Sequence, residues 1–327
     1  MPLTKIAFAP GIDKQDTEYG AAGRWVDSDF VRFRYGLPEK IGGWIKLIAN
    51  TLVGVARDMH AWTDLNGVRY TAIGTDRKLY IYTEGVAYDI TPTRATGSIT
   101  GFTTTNNSPT VTVTDPSHGA EVGDFVTISS TSGAVNGIPA ATMDAEYEIL
   151  TVPTGNTYTI TAAANATSTG ASAATATATY QISVGTAVSQ YGYGWGTWQW
   201  GKEAWGTARS TSNVTIEGRN WSFDNFGEDL LATVSNGGTF RWDTSVGVGT
   251  PAAIVTAAPS VSRFNLVSMP DRHVFLFGTE TTIGSSTSKD DLFLRFSSQE
   301  DYNTWTPTAT NTAGSFRIQD GSKIVTA

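Results

Sequence analysis

Along this chain, apolar residues seldom recur at the three-and-four spacing of a helix. They alternate with polar ones in short runs broken by Gly, Asn, Asp and Pro, the pattern of half-buried strands joined by turns. Trp25 to Arg34 reads WVDSDFVRFR, with Val31 and Phe33 on one side and Arg32 and Arg34 on the other. Period 2 predicts a strand with a cationic face. It lies between two turn-rich pieces, Pro10-Gly11-Ile12 and GLPEKIGGW (36–44), and Gly42-Gly43 permits a bend before Trp44. Residues 1–50 read as an extended N-terminal arm. Residues 67–93 then predict three strands, VRYTAIG, LYIYT and VAYDIT, with turns at Thr75–Lys78 and Glu84-Gly85.

The first and second of these strands recur. TAIGTDRKLYIY (71–82) aligns without gaps with LATVSNGGTFRW (231–242), an offset of 160 residues. HVFLFG (273–278) and DLFLRF (291–296) give a third version with a longer Thr/Ser-rich loop, and each unit tends to close on Thr-Pro: Thr91-Pro92, Thr250-Pro251 and Thr306-Pro307. Weak repeats of short antiparallel strands predict a β-propeller, one that this chain need not complete by itself, over a generic sandwich. The body comprises 51–96 and 184–327, with room for about four blades of roughly 45 residues.

Residues 97–183 interrupt the repeats. From Ala95 to Gly201 there is no Lys or Arg, while Asp115, Glu121, Asp124, Asp144, Glu146 and Glu148 fall inside. TVTVTD, DFVTIS, YEILTV and TYTITA are strand candidates, so this is an inserted small β-barrel or sandwich domain. It ends in TAAANATSTGASAATATATY, read as an extended strand or a mobile loop.

Composition narrows the function. The 327 residues carry a net charge of −8 and only 16% charged residues, against 40% apolar and 11% aromatic. A negative surface argues against binding through phosphate neutralisation, though DNA could slide along it without sticking. There is no cysteine, which excludes disulfides and thiolate metal sites. The N-terminus lacks the apolar run of a secretory signal, and no window reaches about 18 apolar residues; the chain is expected to fold in the cytoplasm that makes it, with no membrane span. No cofactor is implied.

In YGYGWGTWQWGKEAWGT (191–207), glycine alternates with Tyr191, Tyr193 and Trp195, and Trp198, Trp200 and Trp205 follow. In a strand this puts rings on one face and bare backbone on the other. Such a ribbon suits a packed return connector between the insertion and the next blade; glycan contact and disorder are the alternatives, with only Gln199 and Glu203 near the rings to serve a sugar.

The arm carries a resemblance. Pro10-Gly11-Ile12, Trp25 with Asp27, Val31-Arg32-Phe33-Arg34 and Pro38-Glu39-Lys40-Ile41-Gly42-Gly43-Trp44 resemble the start of the packaged-DNA stabilisation proteins of short-tailed bacteriophages, also called tail hub or nozzle proteins. WGTAR (205–209) is compatible with the same family. The resemblance implies a β-propeller and a virion role: several copies, a hexamer by expectation, ring the tail channel. They join an adaptor to distal parts such as a fibre or needle, and packaged DNA passes through the lumen without sequence-specific binding. Arg32, Arg34, Glu39, Lys40 and Trp44 are the candidate interface residues. The insertion departs from the family and is expected to project outward or decorate one end of the tube.

Local pairing of Arg32 and Arg34 with Asp27 or Asp29 competes with an interface role. Asp13/Asp16, Asp27/Asp29 and Asp290/Asp291 complete no calcium loop and read as turn and cap acids. His118, in Ser-His-Gly, reads as a surface imidazole, and His60 and His273 as core-edge groups. There is no GxSxG, phosphate loop or dinucleotide motif in the right context. The rival reading is a propeller that binds or cleaves glycans for receptor recognition, which would need two acids facing across a cleft.

Overall fold

The computed structural model describes residues 8–43, 45, 46, 48, 50–185, 187 and 217–326. These residues are all-β, with one α-helical turn among them at Ala140–Met143. The chain forms two compact units, Met1–Ala49 and Asn50–Ala327.

In the first unit, β1 (Val31–Arg34) and β2 (Leu37–Lys40) pair as a hairpin. Tyr35 and Gly36 both have positive φ, 52° and 79°, the left-handed pair that a two-residue hairpin turn requires. Residues 36–44 are therefore not all turn: the chain reverses at Tyr35-Gly36, and Leu37–Lys40 is a strand. Pro38, opposite Phe33, is tolerated because a two-stranded ribbon is all edge.

The second unit begins with a four-stranded antiparallel meander, β3 (Ala56–Thr63), β4 (Arg69–Thr75), β5 (Leu79–Thr83) and β6 (Val86–Asp89). Its last three strands are the predicted ones. β3 escaped notice because ARDMHAWT alternates Arg57, Met59 and Ala61 with Asp58, His60 and Trp62, so neither face is uniformly apolar.

Next comes a sandwich of nine strands: β7 (Thr93–Ile99), β8 (Gly101–Thr104), β9 (Thr110–Thr114), β10 (Phe125–Ser129), β11 (Glu146–Glu148), β12 (Thr151–Thr154), β13 (Thr157–Thr161), β14 (Gly170–Ser172) and β15 (Ala176–Gln181). One sheet has the order β11-β10-β15-β7, the other β12-β13-β9-β8-β14. Between them Phe102, Val113, Ile128, Tyr158, Ile160 and Tyr180 form a closed core. The entering and leaving strands are neighbours, with Thr96 opposite Thr179. The Thr/Ala-rich tail of the insertion is thus strand where it forms β14 and β15.

Two more meanders follow. β16 (Trp221–Phe226), β17 (Asp229–Val234), β18 (Thr239–Trp242) and β19 (Ala253–Ile254) form one; β20 (Phe264–Val267), β21 (Val274–Phe277), β22 (Phe293–Phe296) and β23 (Gly314–Arg317) form the other. The first strands of successive meanders lie side by side, β3 against β16 and β16 against β20, as in consecutive propeller blades. Ala72, Leu79 and Ile81 pack on Trp221, Leu230 and Trp242 across the first joint. Leu231 and Val255 pack on Val267, Val274 and Leu276 across the second. Gly74 admits Trp221: a Cβ there would lie 2.5 Å from the indole, whose Nε1 donates to the Thr75 carbonyl at 2.7 Å.

Three details differ from the sequence reading. Three blades are present among the described residues, not about four, because residues 188–216 lie outside them and the β21–β22 connection is long. The gapless alignment of 71–82 with 231–242 slips by one across the turn: Ala72 pairs with Ile81, but Leu231 pairs with Arg241. The Thr-Pro steps do not close the blades uniformly; Thr91-Pro92 follows β6, whereas Thr250-Pro251 and Thr306-Pro307 precede the fourth strand.

Candidate functional site

The hairpin arm is a segment with almost no interior. Ala21 is the one buried residue among those described in its unit, while Tyr19, Phe30, Tyr35, Leu37 and Ile45 are 70% or more exposed. Val31 and Phe33 share the half-buried face of β1, and Phe33 lies 6.5 Å from the Trp25 ring. Arg32 and Arg34 share the outer face, but neither pairs with Asp27 or Asp29. Arg32 Nε bonds Glu39 at 3.2 Å, because the register places them opposite each other. Asp27 instead takes Lys14, at 2.9 Å. Arg34 lies over the Tyr35 ring at 5.4 Å, and Lys40 is exposed. Two of the candidate interface residues, Arg32 and Glu39, thus satisfy each other within the hairpin. Trp44 lies outside the described residues.

The sequence reading missed an ionic joint between the sandwich and the first blade. The β4–β5 turn supplies two cations. Arg77 pairs with Glu148 at 2.5 Å, donates to the Gly123 carbonyl at 3.1 Å and lies over the Phe125 ring at 4.9 Å. Lys78 is 4% exposed; its ammonium bonds Asp89 at 2.6 Å, bonds Glu146, and sits 4.4 Å from the Phe125 ring centre. Burial opposes the Lys78 charge, but the bonds to Asp89 and Glu146 outweigh it and hold the ammonium above the ordinary lysine value. A signal was present in the sequence: a stretch without Lys or Arg that spaces Glu146 and Glu148 two apart on one face must find its cations elsewhere, and Arg77-Lys78 are close by in the chain.

A second cluster sits where the chain leaves and rejoins the blades. The fully buried Asp124 accepts from the Val184 amide at 2.9 Å and the Ser183 hydroxyl at 3.2 Å, with Arg94 at 3.6 Å. Burial lowers the Arg219 guanidinium to about 10 against the opposing pull of Asp124 and Asp76. Gly185 and Arg219 are adjacent, so the flanks of the aromatic stretch meet at one point. Tyr191, Tyr193, Trp195, Trp198, Trp200 and Trp205 themselves lie outside the described residues.

The histidines are engaged. His118 is not a surface group: it is 6% exposed, its Nδ1 accepts from the Ala120 amide at 3.0 Å, and its ring stacks on Tyr180. Apolar partners from β13 and β15 close over the turn, which Ser-His-Gly alone does not reveal. His60 Nε2 contacts Asn225 Oδ1 at 2.5 Å, and His273 Nδ1 donates to the Ser297 carbonyl at 2.7 Å.

Two carboxylates line one hollow of about 240 Å³, Asp89 and Glu146 beside Thr91, Thr127, Gln181 and Pro251. They are bridged by Lys78 rather than separated by open space. Among the described residues no three His, Asp or Glu side chains are placed to hold a metal ion. None of the described helices is long and apolar enough to cross a membrane.

No family model matches the chain, and no curated protein matches it. Among solved structures, a phage phi92 endosialidase is similar at a TM-score of 0.23 and 16% identity, over 83% of this chain. The match spans 37% of that protein's length, and a likeness this distant carries no argument about activity.

Proposed function

We propose that this chain is a structural protein of a bacteriophage tail, a hub or nozzle subunit that rings the DNA channel with copies of itself. The observation that carries the reading is the arm, a hairpin that exposes Tyr19, Phe30, Tyr35 and Leu37 and buries almost nothing. Apolar side chains so displayed gain about 25 cal/mol per Å² when another surface covers them. The residues that resemble the tail hub family interleave with these in the chain: Phe30 and Tyr35 flank Val31–Arg34, and Leu37 precedes Pro38. Blades with short protected edges supply a stiff body, and identical subunits close into a ring when the rotation permits. In this reading the ring is a hexamer in the virion tail, assembled in the host cytoplasm. It contacts an adaptor and a distal fibre or needle. The net charge of −8 lets DNA pass and be retained without sequence-specific adhesion.

The test is assembly. Purified protein is sized by light scattering and imaged beside a Tyr35→Asp/Leu37→Asp variant. A ring in the wild type and none in the variant, with equal thermal stability, supports the reading. Rings that survive the variant, or a wild type that forms none at high concentration, overturn it.

A further inference from the structure

Where the second and third blades meet, they border a groove of about 340 Å³. Val246, Pro251, Ile254 and Val255 line it from the second blade, and Tyr302 from the β22–β23 link of the third. Val255 and Tyr302 belong to the packed joint between the two blades, whereas Val246 and Ile254 are each 52% exposed. Polar bonds hold both sides in place. Asp229 accepts from the Thr244 amide at 3.1 Å and Asp243 from the Ser245 amide at 2.9 Å, which fixes the turn that carries Val246. Asp301 accepts from the Asn303 amide at 2.7 Å, and the Tyr302 ring meets Phe226 edge-on at 5.4 Å. Aliphatic side chains displayed on a fixed frame lose little further freedom when another surface covers them.

The charge around the groove is negative. Its one cation, Arg241, lies over the Tyr302 ring at 5.0 Å and already pairs with Asp229 at 2.6 Å and Asp243 at 2.8 Å. Asp301 and the exposed Glu300 adjoin Tyr302 in the chain, and among the described residues no cation pairs with either. The tip of the hairpin arm has the complementary character. Tyr35, in the turn, is 92% exposed, and Leu37 beside it is 70% exposed. Arg34 lies 5.4 Å from the Tyr35 ring and pairs with no carboxylate among the described residues.

We propose that this groove receives the hairpin tip of a second copy of the chain, with the Tyr35 ring between Val246, Ile254 and Tyr302 and with Arg34 toward the acids. The inference rests on the reading that the arm docks on a neighbour, and it names the place. Size, polarity and charge agree. A hollow of 340 Å³ is at the small end of binding pockets, which run from about 300 to 1,000 Å³, and suits one or two side chains. A tyrosine has an apolar body and a polar tip; the groove offers aliphatic side chains for the first, and Thr250 and Asn303 for the second. Opposite charge steers the two surfaces together and fixes their orientation.

Two measurements test it. Light scattering compares assembly of the wild type with Val246→Lys/Ile254→Lys, which fills the groove and repels Arg34. The expected result is that the variant needs an about 30-fold higher concentration to assemble, the loss of one anchoring side chain, with equal thermal stability. The chain has no cysteine, so copies carrying Tyr35→Cys and copies carrying Ile254→Cys can be mixed and joined with a short bis-maleimide. A linked pair should form at least tenfold faster than with Thr110→Cys, an exposed position on the sandwich, in place of Ile254→Cys. Cross-linking that does not distinguish Ile254→Cys from Thr110→Cys overturns the proposal, even where the lysine variant fails to fold. So does a Tyr35→Cys/Ile254→Cys chain that links within itself at high dilution. Assembly lost in Tyr35→Asp/Leu37→Asp but unchanged in the groove variant overturns the groove and leaves the arm reading intact; a wild type that never assembles overturns both.

Discussion

Gly185 and Arg219 stand side by side: a Cβ built on Gly185 would lie 2.3 Å from the Arg219 Cβ. The bare backbone of Gly185 is what lets the chain leave the sandwich beside the point where it re-enters the blades. The Arg219 backbone continues into Trp221 and β16 and cannot retreat. Gly185→Val is therefore expected to destabilise the protein by about 2–3 kcal/mol, in the range of overpacking. Urea denaturation checks this. A change within about 0.5 kcal/mol would mean that the two flanks separate freely.

The sandwich is specified by a buried polar contact. The Tyr180 hydroxyl donates to Asp115 at 2.6 Å, and Asp115 is 2% exposed. Burial pushes the Tyr180 phenol up, so it stays a donor. Gly97 makes room, since a Cβ there would lie 2.0 Å from Asp115 Oδ2. Tyr180→Phe strips the carboxylate of this donor and is expected to cost about 1–3 kcal/mol. Far-ultraviolet melts of wild type and variant compare the two. An unshifted melt contradicts the contact.

How much of this could be read beforehand depended on distance along the chain. The hairpins of the blades were legible because alternation in LYIYT or TFRW reports directly on a strand. The sandwich strands in TVTVTD and TYTITA were legible from the same alternation. What escaped was set by partners far apart in sequence. His118 is buried because Tyr158 and Tyr180 close on it. Arg32 takes Glu39 because a two-residue turn at Tyr35-Gly36 fixes the register. Lys78 finds Glu146 only once the sandwich is docked. Local pattern specifies strands; which face meets which partner is decided by packing.

The joint at Lys78 predicts a sensitivity to neutralisation. Lys78→Met leaves Asp89 and Glu146 facing each other, with side chains 27% and 34% exposed. Solvent screens part of their repulsion, so the expected loss is about 2 kcal/mol, below the 3–5 typical of a fully buried pair. Limited proteolysis reads the consequence locally: cleavage in the links near Pro92 and Ile182 should rise before the blades melt. A cleavage pattern identical to wild type counts against the joint as the element that docks the sandwich.

Acid should act on the third blade. Burial works to raise the Glu217 carboxyl, but Lys323 and Arg263 outweigh it and hold it below the ordinary value of 4.5. Asp290 is lowered from 3.8, first by the Leu292 amide and then by Arg317. Because both folded values lie below the unfolded ones, their stabilisation is full above about pH 4.5 and fades as pH falls through the folded values. Glu217, just ahead of β16, holds Lys323, near the C-terminal end, and Asp290 holds Arg317, on β23, to the rest of the third blade. Hydrogen exchange at the Ile318 and Ile324 amides, which bond the Leu292 and Asp291 carbonyls, should therefore accelerate between about pH 4.5 and 3 after correction for intrinsic rates. In Glu217→Gln/Asp290→Asn the corrected rates should be higher at pH 7 and change less on acidification. Parallel curves for the variant and the wild type would place the acid sensitivity elsewhere in the molecule.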